Sequence, residues 1–546
     1  MFCQLRPVML LYRVLCIAVI FGMSGACSPE YYKAEADEEV YKIIDSKWHD
    51  SFGQKANYLI SDSDIPPSPN DIQIEKAIPP SGVLSLAQAV AIATVNNRRY
   101  QERKEDLYRS ALDLTDVRHN YELQWLATID GAYVDDSVKD NEFKLASGLG
   151  TNPEQDFILA DGIEIGTSLA IDWARYLTGD PRTTLGSVLS ASIAVPLLGL
   201  GRGESKRDWE KLVQFERNVL YAIRIFNRYR KTFVVDTINA YYEVLQRRDR
   251  VTNAENNYKR VLESKERLEM EAKAGRKTRV DVDEAQQNVL RAQSALVSAQ
   301  EGYEGTLDNF KLTWLALPTD ADIELDQNEL KALEEIGISK PDYTLDMAIE
   351  TALLQRLDLA NTADAIDDEV RNVVLAAEGL GPQLNITGSI NYTSPDETET
   401  DFQNLRFHEG IYNFGFDADL PFDRKLERNA YRRALINLER AQRTYDEEVD
   451  KVKLDVRDAY RDLEETADRY NIEKNSLKLA EQRVETNKLL LDAGRVSVRI
   501  LLESEDALLK AQNDVTTALV EHLNAKLSFY KDIGILQVRP DGMWGQ

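Results

Sequence analysis

The second half of this 546-residue chain repeats the first. Sliding the sequence by 219 positions lays Ala240-Tyr241 on Ala459-Tyr460, Ala274-Gly275-Arg276 on Ala493-Gly494-Arg495, Leu290 on Leu509, Ala292-Gln293 on Ala511-Gln512 and Phe310 on Phe529. An offset held this long marks one structural unit used twice. Upstream the offset grows to 259, where Leu86, Ala89 and Val90 meet Leu345, Ala348 and Ile349, and in between Pro196 meets Pro421 at 225. The first copy thus carries extra residues, placed mostly between 134 and 184. Repeats are read at 83–318 and 342–538, joined by an acidic linker at 319–341.

Within each copy the period of the apolar residues changes twice. From Ser85 to about 123, and from Thr344 to about 377, they recur at three and four, with Ser85 and Thr344 as N-caps. The period then drops to two. Leu384, Ile386, Gly388, Ile390 and Tyr392 alternate with polar neighbours, and Tyr412, Phe414, Phe416, Ala418, Leu420 and Phe422 alternate with Asn413, Gly415, Asp417 and Asp419. Such a hairpin suits a solvated sheet in a soluble protein. Its recurrence in copy one, where Leu185, Ser187, Leu189, Ala191, Ile193, Val195 and Leu197 keep the same parity, favours strands of a transmembrane barrel.

Very long helices follow at 204–272 and 424–491. In the second, Leu438, Ala441, Tyr445, Val449, Val452, Val456, Tyr460, Leu463, Ala467 and Tyr470 form a coiled-coil-like seam. At roughly 1.5 Å per residue such a helix extends about 100 Å. The glycines of the two Ala-Gly-Arg turns suit the left-handed position that ends a helix, and the chain returns as helices at 279–315 and 498–533. Each return helix covers only half of its partner's seam; the first helix of each copy has the missing length.

The amino terminus reads as an export signal. Arg6 and Arg13 precede an apolar run from Val14 to Phe21, and small residues Ser24-Gly25-Ala26 stand before Cys27. Residues 1–26 are therefore read as a signal peptide, and 27–82 as an extended arm containing Tyr31-Tyr32 and the Pro66-Pro67-Ser68-Pro69 run. A short tail, 539–546, ends the chain. All three cysteines, Cys3, Cys16 and Cys27, lie in the first 27 residues, so the rest can hold neither a disulfide nor a thiolate metal site. A net charge of −27 argues against nucleic acid as a partner. No later stretch has the 18 or more apolar residues of a membrane helix, so a membrane would have to be crossed by strands.

Two strands per copy make four per chain, fewer than the eight or so a membrane barrel needs to close. Three copies would supply twelve. At this point the residues resemble the TolC-type outer-membrane efflux family over 83–538. The resemblance rests on the paired Leu-x-x-Ala-[Val/Ile] helix starts, the paired glycine turns before Ala/Gln-rich helices, and the proline ending the last strand of each copy. It implies an α+β membrane protein in which two tandem repeats of long coiled-coil-like helices carry one β-hairpin each. Such a protein is a homotrimer whose 12-strand outer-membrane β-barrel is continued by a periplasmic α-helical tunnel. Small residues before Cys27 resemble a bacterial lipoprotein signal, which makes Cys27 the acylated residue. Copy one has three alternating segments where an even number is required: 125–134 and 186–197 are taken as spanning and 137–184 as an exterior insertion, with 163–174 the other candidate for the first strand.

The resemblance also locates function. It puts adaptor docking at the helical tips, Ala274, Gly275, Arg276, Ala493, Gly494 and Arg495, and a periplasmic aperture at Asp281, Glu284, Arg499 and Glu503, although Ile500 stands where copy two would carry an acid. A solvated helix face accounts equally well for each of those acids. Strand parity turns Asn385, Asn391, Asn413, Asp417 and Asp419 to the barrel lumen and Tyr412, Phe414 and Phe416 to lipid. The four histidines, His49, His119, His408 and His522, are scattered without metal spacing, so no catalytic residue, metal or cofactor is expected. The implied activity is passive export from an inner-membrane transporter through a periplasmic adaptor and across the outer membrane of a Gram-negative-type bacterium. The competing class is a periplasmic, lipid-anchored coiled-coil structural or adaptor protein without a pore.

Overall fold

The computed structural model describes residues 28–49, 52, 55, 58–61, 78–122, 124–134, 142–151, 157–158, 164–176, 183–199, 201–338, 343–394, 405–419, 422–538 and 544–545. They divide into two compact units, one holding residues up to 47, 108–222 and 361–445, the other 48–107, 223–360 and 446–546. In chain order the elements begin with α1 (Pro29–Lys47), β1 (Val83–Leu84), α2 (Leu86–Asn96), α3 (Arg98–His119), β2 (Trp125–Val134), β3 (Glu142–Thr151), β4 (Phe157–Ile158), β5 (Glu164–Tyr176) and β6 (Thr183–Gly199). Next come α4 (Gly201–Lys273), α5 (Arg279–Thr313), β7 (Glu324–Leu325), α6 (Asn328–Ile336), α7 (Leu345–Gln355), α8 (Leu357–Glu378), β8 (Gln383–Thr393) and β9 (Ile411–Asp419). The chain closes with α9 (Lys425–Asp492), α10 (Val498–Asp532), β10 (Gln537–Val538) and β11 (Trp544–Gly545).

The first unit is built on one antiparallel sheet of order β2-β3-β5-β6-β8-β9, with β4 pairing the start of β5. This corrects the strand count. Residues 142–151 and 164–176 both enter the sheet, between β2 and β6, so the 137–184 segment is not an exterior insertion and copy one supplies four long strands, not two. Among the described residues six long strands replace the expected four, which leaves the twelve-strand arithmetic without its premise. Both candidates for the first strand, 125–134 and 163–174, are strands together. In the last strand, Phe422 falls beyond β9 and is fully exposed, and Pro421 lies outside the described residues.

The segment expected as an extended arm is helical over Pro29–Lys47, and the proline run lies outside the described residues. Val40, Ile43 and Ile44 bury one face of α1, the Tyr108 hydroxyl donates to Asp37 Oδ1 at 2.6 Å, and Lys47 pairs with Glu216. No sequence period announced this helix, because apolar side chains are sparse in it.

The helical unit shows the repeat as packing. Tyr241 meets Phe310 edge-on with ring centroids 6.2 Å apart, and 219 residues later Tyr460 meets Phe529 in the same way at 5.9 Å. Around the second pair Ala348 and Ala352 of α7, Val452, Val456, Ala459 and Leu463 of α9, and Ile533 form a buried cluster. Helices α4, α5, α9 and α10 lie within a few residues of their expected bounds. The first helix of each copy does not run through: it breaks at Asn97 and again at Arg356, the same register in both copies, with each residue in extended geometry. The Asn97 amide donates to the carbonyls of Thr313 and Trp314 at 2.8 and 3.1 Å, while Arg356 binds Asp358 and Asp455. The linker at 319–341 folds, since β7 pairs in parallel with β1 and α6 follows it.

Candidate functional site

Sheet register decides which side chains share a face. Along β8 and β9 the pairs Ile386–Phe416, Gly388–Phe414 and Ile390–Tyr412 alternate with Asn385–Asp417 and Ser389–Asn413. The alternation passes into β6, where Leu189, Ala191, Ile193 and Val195 stand beside Tyr392, Ile390, Gly388 and Ile386. It continues through Ile165, Thr167 and Leu169 of β5 and Leu149 of β3 to Ala127 of β2, and with it Ile129 and Tyr133. One face of six strands is therefore mostly apolar, with Ser147, Thr167 and Ser187 set among its aliphatic and aromatic side chains. On that face Ile129, Phe414 and Phe416 are 73, 82 and 76% exposed among the described residues. The opposite face carries Thr128 and Asp130, Ser168 hydrogen-bonded to Ser190, Ser192, and Asn413 donating to Ser389 Oγ at 3.2 Å.

The structure thus brings Asn385, Asn413 and Asp417 onto one face and Tyr412, Phe414 and Phe416 onto the other, as the sequence parity requires. Asn391 shares the polar parity but sits opposite Ile411 at the end of the ladder, and for Asp419 only its strand position is described. An apolar rim closes that end, where the Tyr392 and Tyr412 hydroxyls lie 3.0 Å apart and Phe407 tilts onto Tyr392.

In the same unit an ionic cluster ties α4 to α8. Asp368 accepts from Tyr221 at 2.7 Å, Gln214 at 3.1 Å and Arg371 at 2.8 Å, and meets Arg217 at 2.6 Å, while Arg371 also pairs with Glu210. Burial opposes ionisation of Asp368, but the donors from Tyr221, Gln214 and Arg371 and the charge of Arg217 outweigh it and hold the carboxyl below its ordinary value. A depressed carboxyl contributes stability above the unfolded pKa, near 3.8, and loses it as the pH falls through the lower folded value. Asp368→Ala is expected to cost about 1–3 kcal/mol at neutral pH, and the gap to wild type should narrow below pH 4 in thermal melts of the detergent-solubilised protein. A gap that stays constant through that window would show that the charge of Asp368 contributes nothing.

The helical tips are near-copies of each other. Gly275 has φ 72° and Gly494 φ 68°, a region closed to most side chains. Arg276 N–H reaches Glu271 O and Arg495 N–H reaches Leu490 O, both at 2.9 Å, closing the same C-terminal motif twice. Ala274, Gly275, Arg276, Ala493, Gly494 and Arg495 are all exposed. Behind them Val261 and Leu268 of α4, Ala285 and Val289 of α5, Leu491 of α9 and Val498, Leu501 and Leu502 of α10 bury one another, so both copies share one tip core.

The expected aperture residues have local partners. Asp281 belongs to a capping box with Thr278, whose hydrogen bonds lower its pKa, and Arg499 pairs with Glu503 one turn away at 2.9 Å. Glu284 is half-buried and Ile500 exposed. A carboxylate that the aperture assignment left out, Glu505, is 4% exposed between α10 and Ser264 of α4; burial pushes its pKa up against the pull of Arg260. Arg356 and Asp368 also went unread in the sequence. Arg356 shows only as a charged residue within an apolar helical run and Asp368 only as one acid beside Asp367 and Glu369, and both signals are too common to single out. Cys27 lies outside the described residues, and among the described residues no helix is long and apolar enough to cross a membrane.

Residues 348–534, which run through copy two from within α7 to just past α10, match the family model for outer membrane efflux protein. Among curated proteins none matches the chain. Among solved structures, the chain resembles CusC, described for its folding and transmembrane channel formation, at 15% identity and TM-score 0.58, covering 82% of this chain and 92% of that one. It resembles the Campylobacter jejuni CmeC outer membrane channel at 14% and 0.57, covering 89 and 91%. The Vibrio cholerae outer membrane protein VceC stands at 14% and 0.57, covering 82 and 96%. Residues 348–534 are thus similar to the outer membrane efflux protein family, and the chain as a whole shares the fold of outer-membrane channels.

Proposed function

We propose that the protein is an outer-membrane channel through which substrates delivered from the inner membrane leave the cell, in efflux or in secretion of a polypeptide. The observation that carries this reading is the six-strand sheet with one mostly apolar, exposed face and one polar face, a surface suited to lipid on one side and water on the other. Three copies close the barrel, and their helical hairpins form the periplasmic tunnel. Asn385, Asn391, Asn413, Asp417 and Asp419 keep the lumen wet, and Tyr412, Phe414 and Phe416 meet lipid.

The exposed tips at 274–276 and 493–495 receive the periplasmic adaptor, and the adaptor connects them to an energised inner-membrane transporter. Docking loosens the tip core shared by the two copies. Asp281, Glu284, Arg499 and Glu503 line the aperture that then opens. Acylation of Cys27 anchors the amino terminus in the outer membrane. The chain supplies no chemical step; its work is to provide a water-filled path and a closure that a partner can release.

Single-channel recording in planar bilayers tests the reading. Purified trimer is expected to give discrete, long-lived conductance steps, and a tip-opened variant such as Gly494→Val, which strains the turn, larger or more frequent ones. Silence from both proteins, together with a monomer that washes off membranes once Cys27→Ser removes the anchor, would instead support the pore-free coiled-coil class.

A further inference from the structure

We infer that this channel closes through an edge-to-edge junction of β2 with β9 of the next copy and that all six strands of each copy enter the wall, giving an eighteen-strand barrel. The inference rests on the three-copy channel reading above and adds what that reading leaves out, the size and composition of the barrel.

Among the described residues β2 and β9 each pair with a single strand, so the sheet has two open edges. Six strands are too few to close on themselves, since membrane barrels need about eight. The exposed apolar face reaches both edges, through Ile129 and Tyr133 on β2 and Phe414 and Phe416 on β9. An edge beside lipid must have its backbone groups paired, because no water is there to satisfy them. A second copy of this chain supplies a matching strand. The two edges are 10 and 9 residues long, and every pairing in between is antiparallel. An even number of strands makes β2 and β9 run in opposite directions. Head-to-tail contact between copies therefore continues the antiparallel alternation without a break, and it joins apolar face to apolar face.

The two strands that copy two lacks are built as wall rather than as an excursion from it. Register between β3 and β5 keeps Leu149 beside Leu169 on the apolar side, and between β5 and β6 keeps Ser168 beside Ser190 on the polar side. At Gly150 a Cβ would stand 2.8 Å from Cβ of Ser168, closer than such atoms approach, so glycine is what lets β3 lie against β5 there. Barrel diameter grows roughly linearly with strand number, so this wall is about one and a half times as wide as one with four strands per copy. The channel can then pass bulkier cargo at its outer end than at its tip.

Two experiments on the full chain test this. The first is electron cryomicroscopy of the trimer in lipid nanodiscs, counting strands around the barrel: eighteen are expected. Twelve, with 142–176 outside the wall, would overturn the inference and leave the channel reading standing. The absence of any barrel would overturn both. The second compares Leu149→Asp, on the apolar face of β3, with Ala146→Asp on its polar face, by the yield of assembled trimer in the outer membrane. A drop of about tenfold or more is expected for the first alone, in parallel with Phe414→Asp. Normal assembly of Leu149→Asp in cells where Phe414→Asp fails would place β3 outside the membrane and sink the eighteen-strand wall.

Discussion

Phe414→Asp is expected to reduce assembled protein in the outer membrane by at least an order of magnitude, while Asn413→Asp assembles nearly as wild type. The two positions are adjacent in β9 and differ only in the face they occupy. Phe414 is 82% exposed on the apolar side, opposite Gly388, and Asn413 donates to Ser389 Oγ on the polar side. A lipid-facing ring contributes about 2–3 kcal/mol of burial when the sheet inserts, and an acid in its place adds a desolvation cost below the ~2–4 kcal/mol of a midplane Arg or Lys. The sum far exceeds the factor of ten. At Asn413 the aspartate keeps an acceptor that the Ser389 hydroxyl can satisfy, and on the proposed lumen side water hydrates its charge. Sucrose-gradient fractionation with unheated gel migration measures both variants; equal assembly would mean that the strand faces are assigned the wrong way round.

Arg356→Met is expected to cost about 3–5 kcal/mol, toward the lower end, because it breaks an ionic group whose other members stay behind. The Arg356 side chain is 1% exposed and makes charge-assisted bonds to Asp455 at 2.9 Å and Asp358 at 2.8 Å. Burial disfavours its charge, yet the hydrogen bonds and charges of Asp358 and Asp455 more than reverse this and raise its pKa. Without it Asp358 retains Arg228 at 2.7 Å, but Asp455 loses its cation beside Asp532, a carboxyl already pushed up by burial. Asp455 is about a third exposed, so water recovers part of the loss. Arg356→Lys should restore a fraction, because one ammonium cannot reproduce the two-pronged contact with Asp358. Melts of the detergent-solubilised protein give the difference; a Met variant within about 1 kcal/mol of wild type would show the group to be dispensable.

The break at Arg356 shows where sequence reading stops. Its counterpart Asn97 occupies the same register, and neither position has the proline or glycine that ordinarily marks the end of a helix. Each is bent by what it binds elsewhere in the fold: carbonyls at the end of α5 for Asn97, two aspartates for Arg356. Thr313, Trp314 and Asp455 are far away in sequence, and periodicity sees only neighbours. Helix α1 escaped notice for a related reason, since its sparse apolar face needs the surface around Tyr108 to hold it. The tips, in contrast, were legible to the residue, because a left-handed glycine turn is a local event and it occurs twice.

Local chemistry repeated at a constant offset was thus enough to establish the two copies, the long helices, the turns between them and the parity of the strands at 384–392 and 412–418. Strand membership was another matter. Residues 142–151 have two glycines and no clean alternation, and only pairing with β2 and β5 makes them a strand, since a sheet satisfies its backbone through neighbours that the sequence does not name. The number of strands in the sheet is a property of that pairing. Near the tip the Asp281 cap and the Arg499–Glu503 pair are local, whereas the burial of Glu505 beside Ser264 depends on two helices 241 residues apart.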